Sequence, residues 1–228
     1  MCGRYYIEIS DAALRQIAEE VLRRVAAESE YEQLQIVFDG EVLPSNVVPV
    51  QTTDQLFQPM RWGFSGFSSK TGKATRPIIN ARSETVLEKS MFRSSVLERR
   101  CLIPASGYFE WQQVVGSRKK LKTRLFTGQT MYFAGCYRLE RESGEGLGIG
   151  GSGSVGGFDV RGTGADGVGG GVAVPRFVIL TRDASAAVAP IHDRMPVLFD
   201  KDSGQLWLSK GIEAIAQATS ELQFEQID

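Results

Sequence analysis

The chain is poor in the residues that build metal centres and covalent scaffolds. It has one histidine and three cysteines in 228 residues. Cys2, Cys101 and Cys136 are far apart, and no CxxC or HxxxH spacing occurs. That excludes a cysteine-rich zinc module and a disulfide framework, and it fits a reducing compartment. Net charge is lacking too: 26 Lys and Arg stand against 27 Asp and Glu, leaving −1. No global basic field draws in nucleic acid, so any nucleic-acid site must be a local patch. No apolar run approaches the roughly 18 residues that suggest a membrane span, and no apolar h-region opens the chain. Neither secretion nor membrane insertion is expected, and no motif calls for a metal or a cofactor.

With 42% hydrophobic residues the chain can bury a full core, and it reads as one domain, residues 1–228. The sharpest shift in composition is a Gly-rich flexible insertion at about 143–173, where half of residues 144–171 are glycine. Apolar β-type segments flank it, Met131–Leu139 and Phe177–Thr181. Its GxG repeats lack the strand-then-helix context of a phosphate site. Ser10 is expected to cap a helix running to about Ala27, with Leu14, Ile17, Ala18, Val21, Leu22 and Val25 on one face. A second helix should start at Ser83 and pack Val86, Leu87, Met91 and Leu97, and a third should run from Glu213 to Leu222. Strands are expected at Cys101–Ile103, Gly107–Gln112, Leu121–Thr127, Met131–Tyr137, Arg176–Thr181 and Met195–Phe199. Helices do not alternate regularly with these strands. The fold class is therefore α+β, with a mostly antiparallel, curved or barrel-like sheet and flanking helices.

Cys2 stands directly after the initiator methionine. Removal of Met1 would leave an α-amine and a thiol on adjacent carbons, with ordinary pKa values of about 7.7–8.0 and about 8.5. An aldehyde reacts with such a 1,2-aminothiol as an imine and then as a five-membered thiazolidine. The alternative is a small residue that happens to fall second. Only Met1 precedes Cys2, so ordinary methionine removal would suffice and no long propeptide is expected.

Other residues could serve that chemistry. His192, the lone histidine, lies in Pro190-Ile191-His192-Asp193-Arg194-Met195-Pro196, a turn stiffened by two prolines. It can move protons near neutral pH, or simply sit in a solvated loop. In a strand, Tyr108, Glu110 and Gln112 share one face, and Phe109 and Trp111 the other. A carboxylate enclosed by aromatics is tuned toward acid–base work; an outward-facing glutamate is the plain alternative. Asn80-Ala81-Arg82-Ser83-Glu84 offers a neutral amide and a cation near a helix start, or merely a capping turn. Arg61-Trp62-Gly63-Phe64 and Trp111 could be stacking platforms beside arginines, or core. Arg118-Lys119-Lys120 with Lys122 and Arg124 reads as a solvated hairpin tip.

The ordered set Cys2-Gly3-Arg4, Asn46-Val47-Val48-Pro49, Trp62-Gly63, Asn80-Ala81-Arg82-Ser83-Glu84-Thr85, Gly107-Tyr108-Phe109-Glu110-Trp111 and Ile191-His192-Asp193-Arg194-Met195-Pro196 closely resembles the SRAP family, the abasic-site processing proteins also called SOS-response-associated peptidases. The resemblance implies recognition of abasic sites in single-stranded DNA. It implies capture of the ring-opened sugar aldehyde by the N-terminal cysteine as a thiazolidine crosslink, which shields the lesion. It implies Cys2 as nucleophile, with Asn80, Glu110 and His192 completing a catalytic constellation. Arg4, Arg82 and Arg194 match backbone-binding positions, and Trp62, Trp111 and Pro49 match the DNA path. The family name also implies a peptidase-like self-processing step. A cytoplasmic monomer is expected, nucleoid-associated in a bacterium or nuclear in a eukaryote. The Gly-rich insertion matches no family motif, and the end at Phe224–Asp228 looks short. Two rival readings remain: an N-terminal-nucleophile cysteine hydrolase, and a non-covalent single-stranded DNA-binding module.

Overall fold

The computed structural model describes residues 2–27, 34–68, 71, 73–113, 116, 120–141 and 173–227. β1 (Tyr5–Ile7) leads into α1 (Ala12–Ala27), followed by β2 (Gly40–Val42), β3 (Val47–Thr52), β4 (Phe57–Trp62), β5 (Phe64–Ser68), β6 (Lys73–Ile78) and β7 (Asn80–Arg82). Then come α2 (Ser90–Glu98), β8 (Arg100–Gln113), β9 (Lys120–Arg141), β10 (Ala173–Asp183), β11 (Arg194–Pro196), β12 (Leu198–Phe199) and α3 (Lys201–Lys210). A 3-10 helix, Gly211–Gln217, and β13 (Gln223–Ile227) complete the order. Among the described residues no helix is long and apolar enough to cross a membrane.

Eleven strands form one sheet, with β5 and β6 as a separate hairpin. Five strands close into a barrel in the order β9-β10-β4-β3-β8, because β8 pairs back onto β9. Four of the five contacts are antiparallel, and β10–β4 is parallel. This is the α+β, barrel-like architecture expected from the sequence. Trp62, Phe133, Phe177, Met60 and Leu102 are fully buried in the core. Trp62 lies 5.2 Å from Tyr5 and is stacked on Phe177 at 6.4 Å, centroid to centroid. Truncating such a side chain to alanine costs roughly 3–5 kcal/mol.

The sequence reads the β8–β9 hairpin correctly but in pieces. Its four expected strands are two continuous ones, with a register shift between Ala105 and Gly107. Such a bulge bends and twists a strand. The lower half of β8 leaves the barrel wall and takes β1 as a second neighbour. Gly107 is required at the bend, since a Cβ there would lie 2.4 Å from the Leu125 carbonyl and 2.6 Å from the Tyr6 ring.

The helices need correction. Asp11, not Ser10, caps α1, its carboxylate accepting from the Ala13 N–H at 2.8 Å. Leu14, Ile17, Ala18 and Val21 are buried, whereas Leu22 faces water. Residues 83–88 are turn, and α2 begins only at Ser90. The Ser83 N–H is drawn instead to the Thr181 carbonyl at 2.8 Å. Val86 is buried, but Met91 and Leu97 are exposed. The expected third helix is the 3-10 helix, ending at Gln217, and α3 before it was not anticipated. Asp200 caps α3 by accepting from both the Ser203 N–H and its hydroxyl. The expected strands β10–β12 are present, but β1–β7 and β13 lack the alternation that would announce them. Residues 142–172 and 117–119, and with them the Gly-rich insertion and Arg118 and Lys119 of the basic tip, lie outside the described residues. On either side of the insertion, β9 and β10 pair directly, Arg141 opposite Ala173.

Candidate active site

Two strand pairings bring distant chemistry together. β1 lies against β8 with Tyr5 opposite Tyr108. The Phe109 N–H extends that ladder to the Arg4 carbonyl at 2.9 Å. Cys2 is thereby carried into the end of the barrel, where it is fully buried. From the other side, β7 runs parallel to β10 and presents Asn80. The Asn80 Nδ2 donates to the Cys2 carbonyl at 2.8 Å, a contact across 78 positions of sequence. The Asn80 Oδ1 is buried without a hydrogen-bond partner among the described residues.

Glu110 follows Tyr108 on the inner face of β8 and is 3% exposed. Burial raises its carboxyl above the usual carboxylate range, and His192 opposes the shift. Burial first, and the charge of Glu110 second, push the Cys2 thiol far above its ordinary value. This site therefore does not prepare a thiolate in advance. The Tyr5 and Tyr108 phenols are also raised, first by burial and then by Cys2. Both hydroxyls lack a partner among the described residues, as does the Thr123 hydroxyl directly across the ladder from Glu110. Cys101 and Cys136 are buried in β8 and β9, and burial raises both thiols, that of Cys136 to about 12. Burial raises the Cys2 thiol as well, so what sets Cys2 apart from these two is its place at position 2, where an α-amine can be freed beside the thiol.

His192 sits on the loop between β10 and β11 and is partly buried. The Arg194 N–H donates to its Nδ1 at 2.9 Å, while Asp193 Oδ1 stands 2.8 Å from the same atom. The two contacts need opposite states. The first requires a lone pair on Nδ1 and leaves the proton on Nε2; the second requires a proton on Nδ1. Asp193 is 87% exposed, so water competes for its carboxylate, and the backbone contact is the better-defined one.

The residues expected on DNA divide sharply. Arg82 is exposed on β7. Arg4 is part-exposed, bonded to Glu41 at 2.7 Å and lying 5.4 Å over the half-buried Trp111 ring. Arg194 is only 8% exposed. Its guanidinium takes Glu84 in a two-point pair at 2.9 and 2.8 Å, the Thr181 carbonyl at 2.8 Å, and Asp183. Both of its terminal nitrogens are engaged inside the protein, whereas its Nε has no partner among the described residues. Trp62 is fully buried, with Nε1 donating to the Ile79 carbonyl at 3.0 Å. Pro49 is buried in β3 opposite Pro59. Neither offers a face to a base, because the barrel wall encloses both. The sequence reading missed Tyr5, Thr123 and Glu84 as neighbours of the site. No local pattern marks them, since each acts through a partner far along the chain. A cavity of about 570 Å³ between Thr127, Asp200 and Gln223 contains none of the site residues, so chemistry and not cavity size locates the site.

Fold and site define a class: a closed-barrel protein with a composite centre of cysteine, amide, carboxyl and imidazole contributed by distant segments. The family profile described as SOS response associated peptidase (SRAP) matches residues 1–227, and the chain belongs to that family. The chain is 28% identical over 180 residues to the abasic site processing protein YoaM of Bacillus subtilis, covering 75% of this chain and 68% of that one. It is 27% identical over 186 residues to the abasic site processing protein HMCES of Mus musculus, covering 73% of this chain but only 49% of the mouse protein. A crystal structure of a protein from Bacteroides thetaiotaomicron superimposes with a TM-score of 0.67 at 20% identity, over 98% of this chain and 92% of that one. That last likeness is one of fold.

Proposed function

We propose that this protein processes abasic sites in single-stranded DNA by capturing the sugar aldehyde on Cys2. The observation that carries the reading is the Asn80–Cys2 hydrogen bond, which fixes the backbone of residue 2, and not merely its thiol, beside Glu110. Once Met1 is gone, the Cys2 amine adds to the aldehyde carbon, and the carbinolamine loses water to give an imine. The thiol then adds to the imine carbon, its proton passes to nitrogen, and the thiazolidine closes. Glu110, held toward its protonated form, takes and returns protons at the amine and carbinolamine. His192, with its proton on Nε2, donates a hydrogen bond to the sugar ring oxygen as the closed sugar opens to its aldehyde, and Glu110 supplies the proton that oxygen takes up. Asn80 orients residue 2. Arg4, Arg82 and the Trp111 edge supply the local cation and stacking surface for the strand. The relatives' names, abasic site processing protein, support the substrate class.

A cysteine hydrolase would lead with the thiolate, and burial beside a carboxylate works against that order. Intact-protein mass spectrometry, before and after exposure to an abasic oligonucleotide, tests the proposal. The expected product carries the oligonucleotide mass less one water. Cys2→Ala should form no stable adduct, and a durable adduct on that variant would overturn the scheme.

A further inference from the structure

The inner face of β8 runs from core to rim as Tyr108, Glu110, Gln112. Tyr108 and Glu110 face the centre already described. Gln112, one pleat further out, reaches across to the His192 loop, and its Nε2 donates to the Pro190 carbonyl at 3.0 Å. The loop is held from within by the Ile191 and His192 N–H groups on the Val188 carbonyl, at 2.8 and 3.0 Å. At its far end Arg194 ties it to Glu84, Asp183 and Thr181. At its near end, two residues before His192, stands the bond to Gln112. One rigid strand therefore carries both Glu110 and the anchor of the imidazole that faces it.

We infer that Gln112 is a positioning residue that sets the distance between Glu110 and His192 by tethering the Pro190 carbonyl to β8. The inference rests on the proposed function for its kinetic test, though its spectroscopic test stands apart. A glutamine at this place is isosteric with methionine, so the tether can be removed without opening a hole. The groups around Glu110 are Cys2 from before β1, Thr123 from β9, and His192 with Asp193 from the loop. Only the loop groups should move when the tether is cut.

Two measurements test it. First, Met1-free wild type, Gln112→Met and Gln112→Lys are reacted with abasic single-stranded oligonucleotide under single-turnover conditions. The rate at saturating DNA should fall roughly ten- to hundredfold in Gln112→Met, as misplacement of a catalytic pair does. The half-saturating DNA concentration and the melting temperature should stay unchanged. Gln112→Lys, which keeps a donor for the carbonyl, should recover most of the rate. An unchanged rate in Gln112→Met, or a loss confined to DNA affinity, overturns the inference. Second, the chain has a single histidine, so its imidazole gives one set of NMR signals. Glu110→Gln should shift the His192 Cε1–H resonance at fixed pH, and that shift should shrink by at least half in the Gln112→Met background. Equal shifts in both backgrounds overturn the tether. If wild type forms no adduct, the proposed function falls, and the resonance cycle alone still decides the role of Gln112.

Discussion

On the outer face of the β8–β9 hairpin Arg4, Lys122 and Arg124 all have partners among the described residues. Arg4 lies over Trp111, Lys122 4.1 Å over Phe109, and Arg124 between Tyr6 and Phe126. Arg4 and Lys122 share Glu41, and Arg124 pairs with Glu8 and Glu225. On the inner face, one pleat away, the Tyr5, Tyr108 and Thr123 hydroxyls are buried and unpartnered among the described residues, and Glu110 is held toward its protonated form. An unpaired buried polar group costs about 1–3 kcal/mol. Those three cations are paired before any ligand arrives. The inner face retains hydrogen-bonding capacity at the expense of stability, as functional sites do. The lesson is that conspicuous Arg and Trp residues need not be the reactive ones.

Glu110→Gln gives the strongest test of that contrast. Adduct formation should slow by roughly 10²–10⁴-fold, the usual scale of lost proton transfer. The fold should gain stability at the same time. A carboxyl whose folded pKa is raised destabilises the folded state once pH exceeds its unfolded value of about 4.3. The variant should therefore melt higher than wild type at pH 7, and the gap should close by about pH 4. A lower melting temperature at pH 7 would mean that Glu110 is an ordinary structural residue and would erase the contrast. Next in size, Tyr108→Phe should hold or raise stability by up to about 1–3 kcal/mol, because it deletes a hydroxyl without a partner. Denaturant melts decide this, and a clear loss would place a partner on the hydroxyl. Smaller again is the acid limb set by Glu84, whose carboxyl is lowered chiefly by its hydrogen bond to Arg194. That stabilisation is present above the unfolded value of about 4.3 and is lost as pH falls through the folded one. Glu84→Gln should flatten the fall in melting temperature below about pH 4. Smallest is Lys122→Ala on the outer face, where part-exposed ion pairs contribute about 0–1 kcal/mol and are screened by salt. A larger loss would mean that the outer face is more than a neutralised surface.

Parts of this were legible in the sequence. Alternation in Gly107–Gln112 put Tyr108, Glu110 and Gln112 on one face, and the bulge at Ala105–Gly107 did not disturb it. Strand β3 stayed hidden because all of Val47–Thr52 is buried, its terminal Gln51 and Thr52 included, so no polar alternation marks a second face. For the site, Cys2, Asn80, Glu110 and His192 stand out by chemical type. What a cation does with its charge does not: Arg194 and Arg82 look alike in sequence, yet one is locked to Glu84 and the other is exposed. The difference lies in a partner 110 positions away. Trp62 likewise gives no sign of its indole bond to Ile79.

The parallel contact of β10 with β4 has a consequence for the order of folding. The β8–β9 hairpin joins neighbours in sequence and closes cheaply, whereas β10 must find β4 and β7 across about a hundred residues or more. Loop-closure entropy makes such long-range pairings late events. Asn80 rides on β7 and His192 on the loop leaving β10, so both helpers arrive with that final closure. A half-folded chain carries its cysteine without them, and on the proposed mechanism aldehyde capture would begin only with the last act of folding.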